Sequence, residues 1–202
     1  MSDSSSTSTA FASHPTGETA EAVLQRWLDE EAAVRQRLDA GVGPGVAQPA
    51  QVMALSGAEI FAATLRGELP YAPIGKTMDF MIISADASSV VFQGRPGAAH
   101  LNPLGTVHGG WFATLLDSAL GCCIHAALPA GKAYTTLELK VNMIRALTPK
   151  VTRVRAEGRV IHLGGQTATA DARLVGPDGK LYAHASTTCL VFDVRAGSQS
   201  KA

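Results

Sequence analysis

The chain has 202 residues, 46% of them apolar, enough to bury one sizeable core, and it reads as a single domain with an appendage. Lysine plus arginine equals aspartate plus glutamate at 17 each, so no overall charge bias calls for nucleic acid or an acidic membrane as partner. Three cysteines, Cys122, Cys123 and Cys189, are too few and too apolar in context for a disulfide framework; reduced thiols and a cytoplasmic setting are expected.

Met1 to about Thr19 is rich in Ser, Thr and Ala and lacks the charged start and apolar run of a secretory signal, which predicts a disordered tail over 1–18. From Glu18 to Leu38, the residues Ala22, Leu24, Trp27, Leu28, Ala32, Val34 and Leu38 recur near the 3.6 period and predict an amphipathic surface helix. Gly41 to Pro49 reads as a linker. Ser56, with Glu59 three residues on, opens a short helix that runs to about Arg66 and is closed by Gly67. Residues 19–70 thus form an N-terminal helical extension and linker. Pro70 and Pro73 predict an extended connector, followed by strands over Thr77–Ser84 and Ser89–Gln93.

A glycine-rich turn then feeds a long apolar helix from about His108 to Leu128, stopped by Pro129 and Gly131. It comes closest of all segments to a membrane span, but Asp117 and His125 lie inside it and small residues dilute it, so no membrane association is expected. The remainder alternates in strand fashion. Leu137, Leu139, Val141 and Met143 form one predicted inward face, and Val154, Ala156, Gly158 and Val160 another. Gly164-Gly165 turns the chain, Ala168, Ala170, Ala172 and Leu174 continue, and Gly176-Pro-Asp-Gly179 leads into a final strand over Lys180–Phe192. Residues 196–202 are expected to be disordered. The result is an α+β domain in which an antiparallel sheet wraps around one long central helix, its small inward side chains letting that helix approach closely.

The chemistry concentrates at Asn102-Pro-Leu-Gly-Thr-Val-His108-Gly109-Gly110 and at Asp117. A helix N-terminus offers unpaired N–H groups and a positive dipole end to an oxyanion. A carboxylate in the body of an apolar helix is costly to bury and is a candidate base or nucleophile. Thr114, Asp117, Ser118 and His125, with Gly121, make one polar stripe suited to a dimer interface or ligand channel. Asp117 lies nine residues beyond His108, roughly 13 Å along one helix axis, so one carbonyl cannot touch both ends. The acid is therefore expected from a second subunit whose helix lies antiparallel across a two-fold axis.

The run Asn102-x-x-Gly105-x-x-His108-Gly109-Gly110, then Asp117, then a Thr-Thr-led strand ending Asn142-Met-Ile-Arg145, resembles the hotdog-fold acyl-CoA thioesterases of the phenylacetic-acid-pathway type. The resemblance spans about Gly75 to Phe192, and it implies a hotdog thioesterase domain over 71–195. It implies an acyl-CoA substrate, no metal or other cofactor, and a homodimer at minimum, extended to a homotetramer. Gly109 would donate the amide that polarises the thioester carbonyl, and Asp117 of the partner subunit would be general base or nucleophile. Asn102 and His108 would shape the pocket, with His108 orienting or capping rather than acting as base. Gly110 would lie against substrate. A strand hydroxyl would hold the water, and Thr136 or Thr135 matches; strict alternation puts Thr135 on the Leu137 face. Arg145, Lys150, Arg153 and Arg155 are candidates for the phosphates of coenzyme A.

Ala113, Phe112, Leu116 and Leu120 are candidates to line the acyl pocket. Cys122 and Cys123 read as small core residues, and the histidines lack metal-ligand spacing. Two alternatives stand beside hydrolysis of an aryl or short-to-medium acyl thioester. One is a hotdog hydratase or dehydratase, whose usual His and acid pair is not found here. The other is a non-catalytic acyl-CoA sensor, for which the Glu18–Leu38 helix lacks a basic, DNA-reading face.

Overall fold

Phe11 and residues 17–194 are described in the structure, a computed structural model. The ends expected to be disordered fall outside the described residues, apart from Phe11, Gly17 and Glu18. Four helices come first: α1 (Ala20–Ala40), α2 (Pro49–Val52), α3 (Gly57–Leu65) and α4 (Ile74–Met78). Strands β1 (Phe80–Ala85) and β2 (Ser89–Gly94) lead to the long helix α5 (Gly109–Ala127). Then come β3 (Lys132–Met143), β4 (Val154–Leu163), β5 (Thr167–Val175) and β6 (Leu181–Asp193). The six strands make one antiparallel sheet in the order β1-β2-β4-β5-β6-β3.

One face of that sheet packs on α5, which touches all six strands. Leu115, Leu116, Leu120 and Ile124 of the helix have no solvent exposure, and full burial of such side chains is worth about 1.5–3 kcal/mol each. Opposite them the sheet presents Ala156, Ala168, Ala170, Ala172, Ala183 and Ala185, all buried. Gly158 shows why the face is small-sided: a Cβ there would stand 2.4 Å from the Ala119 carbonyl oxygen. Backbone meets backbone at this point, and any side chain on β4 would push the helix off the sheet.

The other face carries α1. Thr19 caps it, its hydroxyl accepting the Ala22 N–H. Val23, Trp27, Val34 and Leu38 are buried as an amphipathic helix requires, whereas Ala22 and Ala32 are exposed and Glu31 takes a place on the inner side. Glu31 survives there because Arg153, Arg35 and Gln93 all donate to it. Burial pushes its carboxyl up, but those three hydrogen bonds together outweigh burial and hold it below the ordinary range. Arg155 lies over the Trp27 ring and pairs with Glu30.

Two predicted strand features are corrected. The strand foreseen from Thr77 begins at Phe80, because Pro73 adopts helical backbone angles and starts α4 instead. Asp79 ends that helix in the left-handed conformation, the one non-glycine residue with positive φ among those described. The alternation predicted for β3 fails at Leu137. A bulge between Thr136 and Glu138 inserts Leu137 as an extra residue and leaves it 61% exposed. Before the bulge Tyr134 and Thr136 point to α5; after it Leu139 and Val141 do.

Candidate active site

The N-terminus of α5 is shaped by the turn before it. Asn102 organises that turn: its side-chain oxygen accepts the Leu104 and Thr106 N–H groups, and its NH2 donates to Thr106 Oγ1 at 2.8 Å. Asn102 therefore builds the loop that presents the helix end. Leu101 and Val107 bridge across the turn, and the His108 N–H donates to the His100 carbonyl at 2.7 Å.

His108 is the N-cap of α5, its Nδ1 accepting the Gly110 N–H at 2.9 Å. This occupies the Gly110 amide and leaves the Gly109 N–H without an acceptor among the described residues. Of the two glycine amides, the Gly109 N–H is thus the open one, at the positive end of a helix of 19 residues. Beside it lies a depression of about 390 Å³ lined by His100, His108, Gly110, Trp111 and Thr114, with His100 stacked on Trp111 at 5.5 Å between ring centroids.

Asp117 lies two turns further along α5, half-buried and without an ion-pair partner among the described residues. Burial raises its pKa above the ordinary aspartate value, partly opposed by a hydrogen bond donated by Thr136 Oγ1 at 3.4 Å. The β3 bulge decides between the two threonines: Thr136, not Thr135, faces Asp117. Eight residues separate Gly109 from Asp117, which on one straight helix is about 12 Å. Within one chain the open amide and the carboxylate do not converge.

The other side chains of the stripe are chemically quiet. Cys122 has its thiol pushed up to about 12 by burial, with the Asp117 charge adding to the effect, so it is no thiolate nucleophile near neutral pH. Burial lowers the pKa of His125, whose ring meets Phe61 edge-on at 5.5 Å and Tyr134 at 5.6 Å. Among the described residues, no group of three or more His, Cys, Asp or Glu side chains is placed to hold a metal ion, and no helix is long and apolar enough to cross a membrane.

Two expectations fail here. Arg153 and Arg155 do not reach toward the α5 face; they are held on the opposite side of the sheet by Glu31 and Glu30. Arg145 and Lys150 are exposed. Phe112, Leu116 and Leu120 are core residues at 3% exposure or less and do not line the pocket beside Ser118. The apolar pocket beside Ser118, Cys122 and His125 is instead walled by Ile60 and Phe61 of α3. Their signal was the run Gly57-Ala-Glu-Ile-Phe behind a capping serine, but its docking partner is distant in sequence.

The family model of the thioesterase superfamily matches residues 104–183, from the glycine-rich turn through α5 to β6. A structure from Ralstonia eutropha, a candidate thioesterase related to phenylacetic acid degradation, is 30% identical, with a TM-score of 0.60 over 65% of this chain and 98% of its own. The chain belongs to the thioesterase superfamily. Its α+β architecture is the hotdog fold, and the helices α1 to α4 precede the sheet. A candidate esterase of Pseudomonas aeruginosa is 36% identical over 98 residues, which is 47% of this chain and 66% of that relative's length. A candidate thioesterase of Streptococcus pneumoniae solved with coenzyme A shares the fold at 24% identity, with a TM-score of 0.52 over 58% of this chain and 89% of its own.

Proposed function

We propose that this thioesterase-superfamily protein hydrolyses an acyl-coenzyme A thioester to the free acid and coenzyme A, working as a homodimer with two composite sites. The observation that carries the reading is the pairing of one open helix N-terminal amide, Gly109, with one half-buried carboxylate, Asp117, that lacks a cationic partner among the described residues. Both lie on α5, too far apart for one carbonyl, and an antiparallel partner helix brings each amide to the opposite carboxylate.

In this reading the thioester carbonyl oxygen accepts the Gly109 N–H, and the carbonyl carbon becomes electrophilic. Asp117 of the partner subunit either removes a proton from water, whose oxygen attacks that carbon, or attacks it directly and gives an anhydride that water opens. Either way the C–S bond breaks, the electron pair leaves with the coenzyme A sulfur, and the thiolate needs little acid assistance. A positioned oxyanion donor contributes about 10²–10³-fold and a carboxylate base about 10²–10⁴-fold. Thr136 orients Asp117, and Asn102 and His108 hold the helix end in place. Exposed Arg145, on the loop after β3, is the candidate for a coenzyme A phosphate. A raised carboxyl pKa fits the base role, since it makes the carboxylate a stronger base.

The test is release of free thiol by the purified protein from acetyl-, hexanoyl-, dodecanoyl- and benzoyl-CoA, with Asp117→Asn alongside. Turnover that collapses in the variant is the expected result. Binding without turnover across the panel would favour the acyl-CoA sensor.

A further inference from the structure

The helices ahead of the sheet are built into the molecule's working face. The Gly57 N–H donates to the Leu128 carbonyl at 3.0 Å, so the first turn of α3 hangs on the C-terminal end of α5. No side chain fits at that junction: a Cβ on Gly57 would stand 1.7 Å from the His125 carbonyl oxygen. Between α3 and α5 the chain leaves a cavity of about 180 Å³. Ile60 and Phe61 form one wall, Phe80 and Phe92 of the first two strands another, and Ser118 and His125 of α5 the third. Ser118 is the immediate neighbour of Asp117, and His125 lies two turns deeper along the helix.

Three features identify the occupant. The walls from α3 and the sheet are aliphatic and aromatic, which suits a group without charge. Its α5 wall begins at Ser118, next in the chain to the carboxylate that the proposed hydrolysis employs. The volume is bounded, since dry apolar cavities of about 150 Å³ accept a benzene ring. The Ralstonia structure matches 65% of this chain over 98% of its own. About a third of this chain, comparable in length to everything before Tyr71, therefore has no counterpart there.

We infer that the N-terminal extension is the outer wall of an acyl chamber, and that Ile60 and Phe61 are specificity-determining residues. They would limit the acyl group to a single ring or an aliphatic chain of similar bulk. The inference rests on the proposed thioester hydrolysis for its substrate, but the chamber itself is testable without turnover. Ile60→Trp fills the chamber and Phe61→Leu enlarges it.

For Ile60→Trp, the ratio of kcat/KM for hexanoyl- or benzoyl-CoA to that for acetyl-CoA should fall by about tenfold or more, the size of effect a blocked apolar pocket gives. For Phe61→Leu, the preference should move toward dodecanoyl-CoA. Ratios unchanged in both folded variants, as judged by their Tm, would overturn the inference. Toluene, a neutral ring with no thioester, provides the second readout. It should raise the Tm of the wild-type protein and do so less, or not at all, in Ile60→Trp. Equal stabilisation of both, or of neither, would overturn the chamber. A wild-type protein that releases no thiol yet binds toluene in an Ile60-dependent way would sink the hydrolysis and leave the chamber standing.

Discussion

Toward the sheet, α5 presents Leu115, Ala119, Leu120 and Cys123, all without solvent exposure and matched by alanines and a glycine of the facing strands. On its other side the same helix presents Thr114, Asp117, Ser118 and His125, each partly exposed; here, among the described residues, it meets only the edge strand β3, through Thr136 on Asp117 and Tyr134 on His125, and Phe61 of α3. The first side is a close-packed core in which volume is fixed and polarity excluded. The second tolerates a carboxylate whose burial costs something, because Asp117 has a single long hydrogen bond from Thr136 and no cation. A lone half-buried acid weakens a fold, which is the usual mark of a group kept for chemistry.

The comparison breaks most sharply at Asp117. Asp117→Asn should lower kcat/KM for thiol release by about 10²–10⁴-fold, the range of a carboxylate base. The fold should not suffer. A carboxyl whose folded pKa exceeds its unfolded value contributes stability that is present below the unfolded pKa and lost as pH rises through the folded one. Toward higher pH that contribution is lost, so there the variant should melt no lower than wild type, while toward lower pH any advantage of the variant should shrink. A drop in Tm at pH 7 together with intact turnover would make Asp117 a packing residue.

On the sheet side the matching experiment is Gly158→Val, which drives a side chain into the Ala119 carbonyl. It should cost about 1–3 kcal/mol by overpacking, read by denaturant unfolding. Catalysis would change only as far as the helix shifts. Smaller effects sharpen the strand phase. Thr136→Val removes the hydrogen bond that partly offsets burial, so the acid limb of the pH profile should move further up and kcat/KM should fall by about tenfold, near the value of one hydrogen bond to a charge. Thr135→Val should move neither quantity. Smallest is Arg145→Ala, expected to raise KM for acyl-CoA by a few-fold with kcat retained, as one exposed phosphate contact would.

Much of the fold was readable because it rests on local patterns. The Ser56-to-Glu59 capping box, the turn before His108 and the Ala-rich strands all carry their structure in adjacent residues. What escaped was set by distant partners. Thr135, Thr136, Leu137 and Glu138 are all compatible with a strand, so only pairing against β6 shows that Leu137 is extra. Glu31 reads as a solvated charge until Arg153, 122 residues away, is placed on it. Of the site, the His108-to-Gly110 end and Asp117 were legible from chemistry. Ile60 and Phe61 were not, since their role arises from docking on the far end of α5.

The central claim is that amide and carboxylate come from different subunits, and mixed dimers test it. Gly109→Pro deletes the donor N–H at the first helical position, where proline fits, after a His108 already at φ −62° and ψ 138°. A Cβ there meets only the tip of Met143, a half-exposed flexible side chain. Gly109→Ala controls for that contact while keeping the N–H. Each of Gly109→Pro and Asp117→Asn alone should be inactive. Unfolded and refolded together in equal amounts, they should regain about a quarter of wild-type thiol release, since half the dimers are mixed and one of the two sites in each is intact. No recovery in mixtures shown to contain the mixed dimer would contradict the account.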